Sequence, residues 1–301
     1  MSLDKNLNKK FEGTIFNNVE LSKYSWFNLG GPAEYLFKPN SKNELIEFLK
    51  YNKKNNLKIT ILGAGSNTLI RDNGIKGVVI KLGSSFTEID LLENNTLEVG
   101  AATLDRKISN FAKDNGIGNL EFLSCIPGSI GGAVIMNSGC FGNDISKVLI
   151  SIKAIDINEC KELEIKREEI EFFYRGTNLR RELIITSVKL KGVTDLKEKI
   201  EKKQIELIEK KKLSQPSQIK TCGSTFKNIS EDKKAWQLIK ETGCDSFKEG
   251  DAIISKKHCN FFVNNGKARS SDIEKLINRV RQNVVDKTGI DLELEIKIVG
   301  E

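Results

Sequence analysis

Five glycines lie close together in one stretch of this chain, from Leu123 to Asp144, which reads LSCIPGSIGGAVIMNSGCFGND. They are Gly128, Gly131, Gly132, Gly139 and Gly142. Backbone without Cβ atoms lets several N–H groups converge on an anion, so the stretch first suggests a phosphate site. No Gly-Lys-Ser/Thr follows at the spacing of a kinase-type phosphate loop. Apolar residues at Ile126, Ile130, Val134 and Ile135 place a bare backbone beside an apolar wall.

The order of helix and strand patterns predicts a mixed chain of two or three compact units, since 301 residues exceed a typical single domain. Ser41 and Glu44 form a capping-box pattern that starts a helix, and the strands KITIL and GVVIKL follow it as a β-α-β start. TLDRKISNFAKDNGIG predicts a helix that ends at Gly116. VLISIKAIDI, ELEIKREEIEFFYR and ELIITSVKLKG predict strands.

A charged helix from Leu196 to Leu213 marks a boundary, because the composition changes there from strand-rich to Lys/Glu-rich. Beyond it we expect a strand at CGSTFKN, a helix around residues 233–242, and strands at DAIIS and NFFVNN. Ser271 and Glu274 form a second capping box at the start of a long helix. The closing DLELEIKIVG alternates as a strand with an apolar face inward and Glu293, Glu295 and Lys297 outward.

Composition argues against several classes of protein. The net charge is +7, and the lysines and arginines are intermixed with glutamates along the chain. No helix has a basic face with interleaved aromatic residues, so we expect the protein to bind an anionic small molecule and no nucleic acid. Six cysteines without a CxxC pair and a single histidine make a metal site hard to build. Without a long apolar run or the apolar core of a signal peptide, we expect no membrane association and a cytoplasmic protein with reduced thiols.

GAGSN, residues 63 to 67, is reminiscent of a dinucleotide-binding turn. Thr68 replaces the third glycine of that motif, and no helix pattern follows, so a nicotinamide-binding domain of the usual kind is not expected. From the residues alone, the segment either donates backbone N–H groups and the Ser66 hydroxyl to a pyrophosphate or is a plain tight turn.

Five segments, in order and nearly spanning the chain, resemble the UDP-N-acetylenolpyruvoylglucosamine reductase family, flavoenzymes of peptidoglycan precursor synthesis in the cell wall. They are GAGSN, LEFLSCIPGSIGGAVIMNSGCFG, YRGTNL at 174–179, CGSTFKN at 222–228 and LELEIKIVG. The resemblance implies an α+β chain with an FAD-binding fold of the vanillyl-alcohol-oxidase (PCMH) type and a C-terminal α/β substrate-binding domain. We expect FAD subdomains at residues 1–83 and 84–195, a linker helix at 196–213 and the substrate domain at 214–301.

The resemblance also implies where the cofactor binds. The residues assigned to the FAD pyrophosphate and nearby atoms are Gly63, Ala64, Gly65, Ser66, Asn67, Pro127, Gly128, Ser129, Gly131 and Gly132. We expect Ile126, Ile130 and Val134 to line the isoalloxazine. Some relatives of this fold tether FAD through histidine, but the one histidine here, His258, lies in the last domain. We therefore expect FAD to be bound noncovalently. The resemblance also implies NADPH as the hydride donor, and we expect a monomer.

Three catalytic residues follow from the same resemblance. Arg175 would grip the enolpyruvyl carboxylate and stabilise the enolate formed when hydride arrives. Ser224 would protonate C2, assisted by Lys220 or Lys227. Glu295 would complete the set, with Glu293 as its competitor if the alignment slips by one pleat. Without the family resemblance, Arg175 could equally be a charged residue at the end of a strand, Ser224 a serine in a turn, and Glu295 an exposed acid.

Tyr174, Lys227 and Asn228 are expected to contact the substrate, a UDP-linked enolpyruvyl sugar. Further candidates for contacts with the substrate diphosphate or with NADPH are Lys256, Lys257, His258 and Asn260. The chain departs from the family at Cys125, where glycine is usual, at Ile229, where proline is common, and at MNSGCF in place of MNAGAY. The short stretch between Arg175 and Leu183 predicts the subtype without a tyrosine-bearing loop.

The predicted reaction is reduction of UDP-N-acetylglucosamine enolpyruvate to UDP-N-acetylmuramate. Two alternatives remain open at this point. One is an FAD oxidase of the same fold that acts on a hydroxy acid or polyol with oxygen as acceptor. The other is a non-enzymatic nucleotide-binding module that uses the glycine turns and the positive charge.

Overall fold

The computed structural model describes residues 3–230 and 232–301. The helices are α1 (Leu3–Lys10), α2 (Lys42–Asn55), α3 (Asp105–Asp114), α4 (Ile130–Ile135), α5 (Lys197–Ser214), α6 (Ala235–Glu241) and α7 (Ser270–Thr288). The strands are β1 (Ile15–Glu20), β2 (Pro32–Phe37), β3 (Ile59–Ile61), β4 (Thr68–Ile70), β5 (Ile75–Ile80), β6 (Ile89–Leu92), β7 (Thr96–Gly100), β8 (Ile117–Gly118), β9 (Gly139–Cys140), β10 (Asn143–Asp144), β11 (Leu149–Asp156), β12 (Lys161–Lys166), β13 (Phe172–Phe173), β14 (Gly176–Thr177), β15 (Leu183–Lys191), β16 (Val193–Thr194), β17 (Lys248–Glu249), β18 (Ala252–Ile254), β19 (Phe262–Asn264) and β20 (Lys297–Val299).

The chain divides into two compact units that interleave along the sequence. Unit 1 consists of Met1–Phe16, Tyr35–Ala64 and Gly77–Lys211, and unit 2 of Asn17–Glu34, Gly65–Lys76 and Lys212–Glu301. These units are defined by packing, whereas the expected ranges 1–83, 84–195, 196–213 and 214–301 are defined by role. Those ranges therefore stay a prediction.

Unit 1 is built around a five-stranded antiparallel sheet in the order β12-β11-β15-β7-β6. Its buried face carries Val99, Ile152 and Val188, each with no exposed surface, in one apolar cluster with Ile108 of α3. The predicted strand ELEIKREEIEFFYR is a strand only up to Lys166 and again at Phe172–Phe173, with a 3₁₀ helix at Arg167–Glu169 between them. The other two strand patterns, at residues 148–157 and 182–192, are confirmed. So is the helix before Gly116, because its apolar residues recur at helical spacing.

The two strands predicted after α2 are present, and β3 pairs in parallel with β5 at Ile59–Val78. Residues 62–74 between them contain β4 and no helix, so this pair is not itself a β-α-β unit. The capping-box prediction for α2 is half right. The Glu44 N–H donates to the Ser41 hydroxyl at 3.1 Å, as expected. The Glu44 carboxylate instead accepts from the Asn40 N–H and the Thr14 hydroxyl, both at 2.6 Å.

Unit 2 packs α7 against the three-stranded sheet β17-β18-β19 around Phe226, Phe262 and Leu276. The second capping box is wrong. The N–H groups of Ser270 and Ser271 at the start of α7 donate to the carboxylate of Asp72 at 2.8 and 3.1 Å. A carboxylate from a distant segment thus satisfies the helix N-terminus, and Glu274 pairs with Arg71 at 2.8 Å instead.

The predicted strand at CGSTFKN does not form as such. Ser224 makes an isolated bridge to Phe261, and Phe226 makes one to Leu294. The closing segment forms a strand only at β20, which pairs in parallel with β4. Its predicted burial pattern nevertheless holds, because Leu292 and Ile296 are buried and Leu294 packs against the same cluster.

Across residues 3–230 and 232–301, no helix combines the length and the apolar character that a membrane crossing requires.

Candidate active site

The two predicted cofactor turns approach each other within unit 1. A Cβ atom placed on Gly63 would lie 3.2 Å from the Ser129 hydroxyl, so a bare backbone at 63 keeps this space open. The Lys81 ammonium donates to the Gly63 carbonyl at 2.6 Å. Burial, with a smaller effect from Lys38, lowers the pKa of Lys81. A cation therefore lies beside a turn whose own residues carry no charge.

Residues 127–132 are fixed to residues 101–105 through the backbone. Ile130 donates to Thr103 at 2.9 Å, Gly131 to Ala101 at 2.9 Å and Asp105 to Gly128 at 3.2 Å, and Leu104 bridges to Ser129. In this antiparallel pattern the N–H of Ser129 itself points away from Leu104. The Gly131 N–H is used by the protein. Gly131 thus contributes space, since its Cβ would lie 3.0 Å from the Ala101 side chain.

The apolar residues of this segment do not all face a ligand. Residues 130–135 form α4, and helical spacing turns Ile130 and Val134 into the core of unit 1, where neither exposes any surface. The expectation that both line an isoalloxazine is wrong for that reason. Ile126 is 8% exposed at the edge of the same cluster, and Ile135 is 38% exposed.

An unpredicted acid, Asp105, lies against this segment at the first residue of α3. Its side chain is buried, and both carboxylate oxygens lack a hydrogen-bond partner within the described part of the chain. Burial raises the pKa of Asp105 well above its usual value, so the environment favours the neutral form of this acid. In the sequence, Asp105 and Lys81 each looked like an ordinary polar residue at the end of a helix or strand, and no local signal marked them.

Arg175 belongs to unit 1, between β13 and β14. Its backbone is left-handed, with φ of 60°, which is unusual for a residue with a side chain. The guanidinium donates to the Gly139 carbonyl at 3.3 Å and lies 5.1 Å from the ring centre of Tyr174. Tyr174 is 50% exposed. The structure therefore ties the predicted catalytic arginine to the end of the glycine-rich stretch.

Ser224 and Glu295 belong to unit 2 and meet through Thr225. The Glu295 N–H donates to the Thr225 carbonyl at 2.9 Å, and Ser224 precedes Thr225 in the chain. Both Ser224 and Glu295 are half-buried. Two of the three predicted catalytic residues are thus neighbours within one unit.

The Ser224 segment is held by a side chain. The Asn260 amide donates to the Phe226 carbonyl at 2.8 Å and accepts from the Phe226 N–H at 2.9 Å. The Asn260 carbonyl also accepts from Thr225 at 2.8 Å. Asn260 is only 2% exposed, so it acts as a substitute strand neighbour. Its softer assignment to a diphosphate or NADPH contact is replaced by this structural role.

The second half of GAGSN supports the same region of unit 2. The Asn67 amide donates to the Glu295 carbonyl at 3.0 Å, and the Asn67 carbonyl accepts from Lys297 at 2.9 Å. Gly65 has φ of 69°, and a Cβ there would lie 1.8 Å from the Tyr24 carbonyl oxygen. Asn67 and Gly65 therefore have structural reasons for their identity, beside any contact with a cofactor.

The predicted substrate residues of unit 2 already have protein partners. The Lys227 ammonium pairs with Glu293 at 2.5 Å. The Asn228 side-chain oxygen accepts from the Ala235 N–H at 3.2 Å at the start of α6. Glu293 has a side chain 72% exposed and engaged with Lys227, whereas Glu295 is half-buried beside Thr225. This difference favours Glu295 over Glu293 for a catalytic role.

Comparisons with known proteins agree with this geometry. Residues 33–163 match the family model of an FAD binding domain, and residues 215–299 match that of the UDP-N-acetylenolpyruvoylglucosamine reductase C-terminal domain. The chain is 48% identical over 298 residues to the UDP-N-acetylenolpyruvoylglucosamine reductase of Pelagibacter ubique, covering 97% of this chain and 98% of that one. It is 43% identical to the enzyme of that name from Orientia tsutsugamushi strain Ikeda, covering 97% and 96%.

The crystal structure of UDP-N-acetylenolpyruvylglucosamine reductase from Thermus caldophilus superposes with a TM-score of 0.82 at 33% identity, covering 94% of this chain and 98% of that one. These matches confirm the predicted fold class, an α+β chain with an FAD-binding fold followed by a C-terminal domain.

Proposed function

Because the chain belongs to the UDP-N-acetylenolpyruvoylglucosamine reductase family, we propose that it reduces UDP-N-acetylglucosamine enolpyruvate to UDP-N-acetylmuramate, a peptidoglycan precursor, with FAD as cofactor and NADPH as hydride donor. One observation carries the proposal. The segment that matches the family's C-terminal domain holds Ser224 and Glu295 next to each other through Thr225. A serine hydroxyl and a carboxylate on two segments that are hydrogen-bonded to each other can together deliver a proton to the substrate.

The residues of unit 1 fit a flavin dinucleotide bound without a covalent link. Gly63 and Ser129 leave the space that a Cβ would narrow, and the Lys81 ammonium supplies positive charge for a pyrophosphate. Burial raises the pKa of Asp105 and so disfavours a negative charge beside Gly128. When bound, FAD supplies the hydride that reaches the enolpyruvyl group and that came from NADPH.

Arg175 is assigned to the enolpyruvyl carboxylate. A guanidinium can bind a carboxylate with two parallel N–H···O bonds and stabilise the negative charge that develops on the enolate. The Gly139 carbonyl and the Tyr174 ring orient this side chain in unit 1. Tyr174, half-exposed beside Arg175, is assigned to the substrate as well.

Ser224 is assigned the protonation of C2. An unperturbed hydroxyl is a weak acid, so a second group must supply or relay the proton. We assign that part to Glu295, because its backbone is bonded to the residue after Ser224. Lys227 is engaged by Glu293 and is left with a supporting role near the substrate, together with Asn228.

The proposed reaction has two half-reactions. NADPH leaves before the sugar nucleotide binds, so we expect ping-pong kinetics. The proposal also includes a preference for NADPH over NADH and a monomeric state.

The test begins with the visible spectrum of the purified protein, which should show a bound flavin that denaturation releases from the chain. Anaerobic NADPH should bleach it, and the UDP-linked enolpyruvyl sugar should restore the colour with formation of UDP-N-acetylmuramate, identified by mass. A colourless protein that binds only nucleotides would support the binding-module alternative. A reduced flavin reoxidised by oxygen but not by the sugar would support the oxidase alternative.

A further inference from the structure

Two cysteines lie on adjacent segments of unit 1, toward the two ends of the glycine-rich stretch. Cys125 ends a short 3₁₀ helix, Cys140 lies in β9, which packs against that helix, and each thiol alters the pKa of the other. The Cys140 thiol also reaches the carbonyl of Phe122, in the same 3₁₀ helix, at 3.5 Å. The Ser124 hydroxyl lies 3.7 Å from the Cys125 sulfur. Both thiols therefore lie against the same 3₁₀ helix, close enough for each to change the ionisation of the other.

Cations surround the pair. The Lys211 ammonium donates to the Cys125 carbonyl at 2.6 Å and lies close enough to interact with both sulfurs. Arg175 adds positive charge on the Cys140 side. The hydrogen bond from Cys140, followed by Ser124 and Lys211, lowers the pKa of the Cys125 thiol, and the same hydrogen bond raises that of Cys140. The pair therefore favours a thiolate at Cys125 and a protonated thiol at Cys140.

The other four cysteines have no such arrangement. Cys160 donates to the Ile157 carbonyl at 3.5 Å, and Cys244 contacts Thr242 at 3.3 Å. Burial raises the pKa of Cys222 to about 12 and raises that of Cys259. Cys222 and Cys259 are therefore poor nucleophiles.

We propose that Cys125 and Cys140 form a redox-active dithiol that a small peroxide converts to an intramolecular disulfide. The Cys125 thiolate attacks one oxygen of hydrogen peroxide, the O–O bond breaks, and the hydroxide released takes a proton to become water. The sulfur of Cys140 then attacks the sulfenic acid of Cys125, the S–O bond breaks, and a second water leaves. Two thiols lose two electrons, and one peroxide becomes two waters.

A small oxidant suits the site, because Cys125 is only 5% exposed and a bulky disulfide compound would not reach it. The bond would join the residues that flank Pro127 to Gly132, so it would tie the 3₁₀ helix to β9 on either side of the proposed cofactor segment. The inference rests on the chain's own thiols and does not depend on the proposed reaction.

The experiment uses the purified, fully reduced protein and hydrogen peroxide near stoichiometric amounts. After denaturation and alkylation, the number of free thiols should fall from the six of the sequence to four, and dithiothreitol should restore six. Trypsin leaves both cysteines in one peptide, residues 114–147, which contains no other cysteine. That peptide should lose two hydrogens and resist alkylation. Cyanogen bromide cleavage at Met136, which lies between them, should leave its halves joined until reduction.

Matched variants isolate the pair. In Cys140→Ala, the oxidation should stop at a sulfenic acid on Cys125 that dimedone traps, and no disulfide should form. In Cys160→Ala, a buried cysteine of the same unit is removed, and the fall in free thiols should be two, as in the natural protein. The proposal is overturned if the natural protein keeps six thiols, if Cys125 pairs with another cysteine, or if Cys140→Ala oxidises to the same product. The measurements on the natural protein need no variant to fold.

Discussion

Residues 127–132 of unit 1 and residues 224–228 of unit 2 carry the proposed chemistry, yet they are held in place by different means. The first segment is fixed by backbone hydrogen bonds to residues 101–105. The second also has backbone hydrogen bonds at Thr225 and Lys227, but its central residue, Phe226, is fixed by a side chain, the amide of Asn260, which serves both backbone groups. A segment held by backbone groups alone tolerates changes of its neighbours' side chains, whereas the pairing of Phe226 depends on the identity of Asn260.

The two segments also differ in how they treat charge. Beside residues 127–132, burial raises the pKa of Asp105 and lowers the pKa of Lys81. Beside residues 224–228, Lys227 and Glu293 pair at the surface. The first environment suits a ligand that brings its own charge, and the second suits groups that exchange protons with water.

Ser224→Ala should give the largest effect and separate the roles of the two segments. Loss of the proton donor should slow reoxidation of the reduced flavin by the sugar nucleotide by about 10²- to 10⁴-fold. Reduction by NADPH should remain within about twofold, because the residues assigned to the cofactor turn at 127–132 are unchanged. Anaerobic stopped-flow absorbance measures the two half-reactions separately.

The matched control is Ser230→Ala, an exposed serine six residues further along whose hydroxyl accepts from the Lys233 N–H. It should leave both half-reactions unchanged. If Ser224→Ala slowed both half-reactions equally, Ser224 would not be the proton donor.

Asn260→Ala should expose the dependence of unit 2 on one side chain. Its loss leaves the N–H and the carbonyl of buried Phe226 without these partners, at a cost of about 1–3 kcal/mol each, so the free energy of unfolding should fall by about 2–6 kcal/mol. Urea unfolding followed by circular dichroism measures this change.

Asn265→Ala is the control, because Asn265 is exposed and its backbone N–H, which donates to the Asp251 carbonyl at 3.0 Å, is kept in alanine. It should change stability by no more than about 0.5 kcal/mol. Equal losses in both variants would show that the Asn260 amide does not hold the segment.

Much of unit 1 could be predicted from the sequence, because periodicities of two and of 3.6 residues are local signals. The sequence-based predictions fail where residues distant in the chain determine the local structure. Asp72 satisfies the start of α7 and displaces the predicted box of Ser271 and Glu274. Asn260 replaces a strand neighbour at CGSTFKN. The roles of Arg175 and Ser224 came from family resemblance, since neither residue has a local pattern that marks it.

Asp105→Asn should change how stability depends on pH. The folded-state pKa of Asp105 lies above its unfolded value, so between the two values the folded protein keeps a proton that the unfolded chain releases. The free energy of unfolding therefore falls as pH rises through that window, by up to about 1.4 kcal/mol per pH unit. Asn removes this slope and should make the protein more stable than the natural one at pH 7.

Unfolding curves from pH 4 to pH 8 provide the measurement. Asp114→Asn, at the other end of α3, is the control with the opposite sign, because Lys197 lowers the pKa of that exposed acid. Its removal should not stabilise the protein at pH 7. Parallel pH profiles for the natural protein and Asp105→Asn would mean that Asp105 is not neutral in the folded state.

Gly63→Ala should have the smallest effect and should appear in cofactor binding rather than in folding. The new methyl group would lie 3.2 Å from the Ser129 hydroxyl, a contact that a small shift of that side chain relieves. We expect a rise of about two- to fivefold in the FAD dissociation constant, since that corresponds to less than about 1 kcal/mol. Fluorescence titration of the apoprotein measures it. The control is Gly83→Ala, where a Cβ meets no atom within 4 Å in unit 1 and φ is −109°. If both variants bound FAD equally well, the space between Gly63 and Ser129 would not be part of the cofactor site, and only the backbone-held segment at 127–132 would keep that assignment.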